Sequence, residues 1–407
     1  MKNIITGIFL LLTSGLSSQA KTDKIVKQIV IDVVYLSSDY MEGRHTGSRG
    51  EDRAAEYIMD RFQVSGLVAG GKDNQWFQPF NFSVNNPHGG ETGERLYGKN
   101  VIGLLDNRAE NTIVLGAHYD HLGFGETGAM DAHDKGIHNG ADDNASGIAA
   151  LFYMADLLQE EQFNANNYLF IAFSGEEQGL HGSKAFTADP SIDLETINFM
   201  INMDMVGRLE KEKPLLIYGV GTSPSWRSVL DVMWVDGISG IKTMDDGIGP
   251  SDHTSFYLKN IPVLHFFTGQ HQDYHKSSDD ASLVNFDGIK LVGDYIVGII
   301  DAVKDEDKLT FSKTKSTERK GAAFKVTLGV MPDYTHEGMG MKIDAVLEER
   351  PAQAAGLKDG DLIIEMDGKE IADIYTYMEV LSKHKKGDTI PVVVKRGEET
   401  VKVKVTF

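Results

Sequence analysis

Four short runs of consecutive apolar residues mark the long N-terminal part of the chain: Thr112–His118 (TIVLGAH), Tyr168–Phe173 (YLFIAF), Asn198–Asp204 (NFMINMD) and Ile261–Phe267 (IPVLHFF). Their apolar positions do not alternate, and helical segments separate them. This pattern predicts strands of a mostly parallel sheet buried on both faces. Two helices stand out. In Gly47–Leu67 (GSRGEDRAAEYIMDRFQVSGL), Ser48 and Glu51 form a capping box, Ala54, Ile58 and Phe62 recur at helical spacing, and Gly66 lies beyond the end. In Asn139–Leu158 (NGADDNASGIAALFYMADLL), a turn of Gly, Asp and Asn leads into a helix apolar on almost every face. The fold class is therefore α/β, with helices on both faces of a central sheet.

A charged, aperiodic stretch at Glu306–Gly321 (EDKLTFSKTKSTERKG) reads as a linker between a large domain at 24–305 and a small one at 322–407. At the N-terminus, Lys2 precedes an apolar run from Ile4 to Leu12 and small residues ending at Ala20. Residues 1–20 are expected to be a secretory signal peptide cleaved after Ala20. The apolar run is too short for a membrane anchor, and no other segment is long enough to span a bilayer. The mature protein is then exported, to the periplasm or beyond. It has no cysteine, hence no disulfide and no lipid-bearing thiol. A formal net charge of −20 argues against nucleic acid and anionic lipid as partners.

Polar side chains collect just after the apolar runs: His118 and Asp120 after the first, Glu176 and Glu177 after the second, Asp204 ending the third, His275 after the fourth. Open α/β sheets bind ligands beyond the carboxyl ends of their strands, so these groups are expected to converge on one crevice. So many carboxylates cannot be buried ionised without compensating positive charge. Two imidazoles and several carboxylates, without thiolate, make a ligand set for zinc or, less selectively, manganese or cobalt. Of Asp142 and Asp143, one is expected to bridge two metal ions and the other to cap the helix or support the loop.

The motifs LSSDYMEGRHTGSRGEDRAAEYI (Leu36–Ile58), GAHYDHLG, NGADDNASG, FSGEEQGLHGS, NMDMVGR, SDHTSF and DYHKSSDD occur in one order along the chain. In that order they resemble the M28 zinc aminopeptidases. The resemblance implies a phosphorylase/hydrolase-like zinc exopeptidase sandwich holding two Zn2+ ions. His118, Asp143 and Asp204 would hold one ion; Glu177, His275 and the bridging Asp143 would hold the other. Asp120 would orient a ligand imidazole, and Glu176 would be the general base acting on a metal-bridging water. Tyr274 matches a residue that assists at the substrate oxyanion in some members. The implied substrates are peptides with free N-termini. Of the 13 histidines, His121 and His253 lie in family motifs without being ligands. His133, His138, His181, His265 and His271 match no ligand position and are expected to be structural or exposed.

Downstream, Gly338–Ile371 and Thr327–Val330 (TLGV), with the signature Pro351–Asp361 (PAQAAGLKDGD), resemble a bacterial-type PDZ domain, a small β-barrel-like fold. The resemblance implies that peptide C-termini bind between the Leu328–Val330 loop and a helix over Ile374–His384. Alternatively the module packs on the peptidase and shields its entrance. Two other functions stay open: a carboxypeptidase-type relative acting on small acidic peptides, and a PDZ-centred binding scaffold with vestigial activity. The complete five-residue ligand set argues against a one-zinc glutaminyl cyclase.

Overall fold

A computed structural model describes residues 22–85, 91–125, 128–130, 134–314, 326–332, 339–346, 350–372, 374–397 and 399–407. The expected signal segment 1–20 and linker positions 315–321 lie outside the described residues.

The large sheet is built from β1 (Val68–Ala69), β2 (Phe77–Asn85), β3 (Glu91–Leu105), β4 (Thr112–His118), β5 (Asn167–Phe173), β6 (Ile197–Met203), β7 (Leu215–Tyr218), β8 (Ile241–Thr243) and β9 (Val263–Phe267). Its order is β1-β3-β5-β4-β6-β9-β7-β8, with β2 on β3. The four apolar runs emerge as β4, β5, β6 and β9. They form one contiguous parallel block, β5-β4-β6-β9. Antiparallel strands flank it, β3 on β5 and β7 on β9, so the whole sheet is mixed around a parallel centre. Every residue of β4 and β6 is buried, which is why these strands read as unbroken apolar runs.

Helices cover both faces. Ile113, Leu115, Ala117, Phe199 and Ile201 point into a core shared with α1 (22–36), α2 (Arg49–Val64), α3 (Gly147–Leu157) and later helices α5 (Pro224–Leu230) and α7 (Phe286–Val303). The alternate positions Val114, Met200 and Val263 pack on the opposite face, against Phe186 of α4 (His181–Ala188) and Phe256 of α6 (His253–Tyr257). Among the described residues, no helix is long and apolar enough to cross a membrane.

The capping box of α2 forms and extends beyond the helix. Ser48 accepts from the Glu51 N–H at 3.2 Å, and Glu51 reaches back to the Gly47 N–H at 2.6 Å. Glu51 also accepts from the hydroxyl of Ser174, at the end of β5. Burial pushes the Glu51 carboxyl up to about 8, against the hydrogen bonds from Ser174 and Gly47 that pull it down. Its ordinary value is 4.5, so between the two values the folded protein keeps a proton that the unfolded chain has lost. Stability from this group is full below the lower value and falls as pH rises through about 8. Urea unfolding at pH ~5 and ~8 is expected to show a smaller loss in Glu51→Gln than in wild type, by on the order of 2 kcal/mol. Equal losses would exclude Glu51 as the titrating group.

The C-terminal sheet is separate and antiparallel. Strands β10 (Val330–Pro332), β11 (Met341–Val346), β12 (Leu362–Met366), β14 (Thr389–Arg396) and β15 (Glu399–Thr406) follow in that order, and β13 (Lys369–Glu370) pairs with β12. It has its own core, including Leu328, Ile343, Ile363, Met366, Val392 and Val405. Two short helices complete it, α8 (Pro351–Ala354) and α9 (Ile374–Leu381). Buried Asp361 closes the Leu357–Asp361 turn, accepting from the Lys358 N–H at 2.9 Å and from both Nε and Nη2 of Arg396 at 2.7 Å.

Candidate metal centre

The parallel block delivers its polar residues to one end. His118 closes β4, Glu176 and Glu177 follow β5 after Ser174-Gly175, Asp204 follows β6, and the loop after β9 reaches His275. The turn before α3 supplies Asp143 from a widened helical turn over Ala141–Ser146, entered through Gly140 at φ +54°. Its two aspartates separate in role. Asp142 turns away from the crevice: Oδ1 accepts from the Gly207 N–H at 2.6 Å and Oδ2 lies 3.1 Å from His271 Nε2. The first turn of α3 is capped by Asn144, whose Oδ1 accepts from the Gly147 N–H at 3.0 Å. Asp143 faces the crevice, its own N–H held at 3.0 Å by Asp279.

Around Asp143 the geometry is two-sided. Its Oδ1 lies 3.2 Å from His118 Nε2, which is also 3.3 Å from Asp204 Oδ1. Its Oδ2 lies 3.2 Å from His275 Nε2, which is also 3.1 Å from Glu177 Oε2. Ligand atoms of His118, Asp143 and Asp204 fall within 4.8 Å of one another, and so do those of His121, Asp143 and Glu177. His121 thus comes closer than its place in the motif implied. It is buried, its Nδ1 is 2.8 Å from Glu177 Oε1, and its Nε2 has no hydrogen-bond partner among the described residues. The donor set is nitrogen and oxygen only, and one carboxylate is shared between two histidine–carboxylate pairs. That combination fits two hard or borderline divalent cations.

The charges fit the same reading. Burial works against ionising any of these groups, yet Asp204 and Glu176 hold His118 well above the usual imidazole range. Glu177 and Asp143 do the same for His275. Despite burial, the two imidazoles keep Asp143 well below the carboxylate range. Glu177 is likewise held down to about 2, chiefly by His275. The cluster therefore demands positive charge at its centre, which the imidazoles carry by protonation and metal ions would carry with the imidazoles neutral. Glu176 differs: burial lifts its carboxyl well above the usual range, offset by His118.

Asp120 stands beneath this layer. The Nδ1 of His118 lies 3.2 Å from the Asp120 backbone carbonyl and 3.7 Å from its carboxylate. The carboxylate itself accepts from the N–H groups of Glu176 at 3.1 Å and Glu177 at 3.4 Å and from the Thr46 hydroxyl at 3.1 Å. It thereby aims the two glutamates as well as flanking the histidine. Tyr274 stacks on His275, ring centroids 3.8 Å apart. With Met205, Tyr218, Pro250 and Phe267 it forms the apolar wall of a cleft of about 120 Å³ whose other wall is the carboxylate cluster. All eight expected site residues meet here. The discounted histidines do other work: His181 stacks on Phe82 and His253 on His265, while His138 faces the Gly136 carbonyl at 3.3 Å. His133 lies outside the described residues.

The motif reading gave no role to Arg44. This buried guanidinium donates to four backbone carbonyls: Tyr119 and Asn139 at 2.7 Å, Leu36 at 2.6 Å and Gly140 at 3.0 Å. It staples the loop after His118 to the turn that presents Asp143. Burial lowers it to about 10, so it stays charged at neutral pH. Arg44→Met leaves those carbonyls unpaired and is expected to cost about 3–5 kcal/mol of stability in denaturant unfolding. Arg44→Lys is expected to recover only part of it, because an ammonium cannot span the same fork. A loss below about 1 kcal/mol in Arg44→Met would show that the staple is dispensable.

Two family models match successive parts of the chain. The family model for Peptidase family M28 matches residues 100–300, and that for the PDZ domain matches residues 302–407. Leucine aminopeptidase 1 of Coccidioides posadasii (strain C735) is 35% identical over 218 residues, covering 48% of this chain and 54% of the relative. The chain thus spans about half the length of that curated relative. A leucine aminopeptidase precursor from Bacteroides thetaiotaomicron superposes with a TM-score of 0.54 at 19% identity, covering 69% of this chain and 97% of that one. A glutaminyl cyclase from Porphyromonas gingivalis superposes with a TM-score of 0.55 at 17% identity, covering 68% and 98%. At these identities the two structures establish the fold alone.

Proposed function

We propose that the protein is an exported zinc aminopeptidase; the family model for Peptidase family M28 matches residues 100–300 and that for the PDZ domain residues 302–407. The protein would remove N-terminal residues from peptides. The observation that carries this reading is Asp143, each of whose oxygens faces a separate histidine–carboxylate pair at 3.2 Å. His118, Asp143 and Asp204 would hold one zinc ion, and Asp143, Glu177 and His275 the other. Zinc bound there would acidify a water toward neutral pH and polarise the substrate carbonyl.

The chain's own residues do the rest. Glu176, which lines the cleft but belongs to neither group of convergent ligand atoms, takes the proton of the attacking water and returns it to the leaving amine. Asp120 holds the backbone of Glu176 and Glu177 in register. The apolar wall of Met205, Tyr218, Phe267 and Tyr274 receives the side chain of the first residue, and the Tyr274 phenol assists at the carbonyl oxygen. Residues 1–20 direct export, and the PDZ groove binds peptide C-termini or shields the cleft.

A carboxypeptidase needs a cation for the substrate's terminal carboxylate. No Lys or Arg is among the described residues lining the cleft, which favours the aminopeptidase. The test is hydrolysis of aminoacyl chromogens, free and N-acetylated, by the mature chain before and after chelation. Cleavage of the free substrates alone, lost on chelation and restored by zinc, supports the proposal. Cleavage of N-acetylated or C-terminal substrates, or cyclisation of N-terminal glutamine, would replace it.

A further inference from the structure

His275 is an unusual ligand candidate because its backbone sits at φ +56°, a left-handed conformation that a residue with a side chain adopts only when its surroundings impose it. Tyr274 stacks on its ring, but the hydrogen bonds that fix it come from the segment Gly128–Met130. The Gly128 carbonyl faces His275 Nδ1 at 3.0 Å, which leaves Nε2 to face Asp143 and Glu177. The Met130 N–H donates to the His275 carbonyl, also at 3.0 Å. One residue thus fixes the ring and another the backbone.

Between them lies Ala129, and its carbonyl is taken from outside the peptidase domain. Arg350, the residue before α8 in the PDZ domain, donates from Nη2 to the Ala129 carbonyl at 3.4 Å. The stem of Arg350 lies flat on Gly329, where an added Cβ would come within 2.1 Å of Arg350 Cβ and 2.6 Å of Cγ. Gly329, at φ +76°, is the middle of the loop expected to receive a peptide carboxylate. That loop is tied to α8 by the Ala352 N–H on the Leu328 carbonyl at 2.8 Å. Direct contacts therefore run from the carboxylate loop through Arg350 and Ala129 to the two groups that clamp His275.

We infer that Arg350 is a positioning residue of the metal centre, by which the PDZ domain holds the segment that orients His275. The PDZ module is then a working part of the enzyme and not a tethered accessory. The inference rests on the metal-centre reading above. Partners one step out from a metal ligand typically change metal affinity 10- to 100-fold. Arg350 stands a further step out and its bond is long, so the effect is expected to be roughly three- to ten-fold and confined to one ion.

The test uses the full mature chain as wild type, Arg350→Ala and Arg350→Lys. Zinc is titrated against a chelating indicator, and hydrogen exchange is followed in the peptide containing Met130. Arg350→Ala is expected to weaken one of two bound zinc ions roughly three- to ten-fold, leave the other unchanged, and speed exchange at the Met130 amide. Arg350→Lys, which keeps a donor, is expected to fall between. Restoration of kcat by excess zinc, with KM unchanged, would support the same assignment. Wild-type zinc affinities and Met130 exchange in Arg350→Ala would overturn the inference and leave the metal centre standing. A wild type that binds no zinc would overturn the metal-centre reading, and this inference with it.

Discussion

Replacing Asp143 with alanine is expected to strip both metal ions from the protein, whereas replacing Asp204 strips one. Asp143 is the member common to both groups of convergent ligand atoms, and its two oxygens face different partners. Truncation would take a ligand from each of the two proposed zinc sites at once. It also removes the one carboxylate whose two oxygens face both His118 and His275. Asp204 touches only the His118 side. Zinc analysis after gel filtration in micromolar zinc should give near zero for Asp143→Ala and about one ion per chain for Asp204→Ala. Activity should fall on the order of 10³-fold or more in the former. One tightly held zinc in Asp143→Ala would show that Asp143 serves a single ion.

Glu176→Gln is expected to separate binding from turnover. The carboxylate of Glu176 belongs to neither ligand group, and its backbone is held by Asp120 through an N–H that the amide variant keeps. Zinc content and KM should therefore stay near wild type, while kcat falls roughly 10²- to 10⁴-fold for want of a proton acceptor. Asp120→Asn, measured beside it, should reduce both kcat and thermal stability, since the two N–H groups at 3.1 and 3.4 Å are held on different oxygens and an amide keeps only one of those acceptors. A Glu176→Gln enzyme with more than a tenth of wild-type kcat would assign the base elsewhere.

The parallel centre of the fold was legible because β4, β5, β6 and β9 are buried on both faces, and burial on both faces writes an unbroken apolar run. The antiparallel flanks wrote no such signal. β7 has four residues and β8 three, too short for a period, and the sequence between Pro214 and Pro250 stayed unread. His118 and Asp204 were legible as polar breaks at the ends of apolar runs, whereas Asp143, Glu177 and His275 lie in turns and loops and were assigned as ligands through the resemblance of their motifs. What supports them was less so. Arg44 reaches carbonyls as far as 96 positions away, and a carbonyl acceptor leaves no trace in residue type. The same holds for the clamp on His275, which is made of the backbone of Gly128 and Met130. The resemblance implied that Asp120 orients a ligand imidazole, but its carboxylate accepts from the backbone of residues 56 and 57 positions on and from the Thr46 hydroxyl.

The most direct test of the account is anomalous diffraction at the zinc edge from crystals of the zinc-loaded mature protein. Two peaks flanking Asp143 are expected, one also contacted by His118 and Asp204 and the other by Glu177 and His275. A single peak, or a second peak held by His121 with His275 turned away, would contradict it.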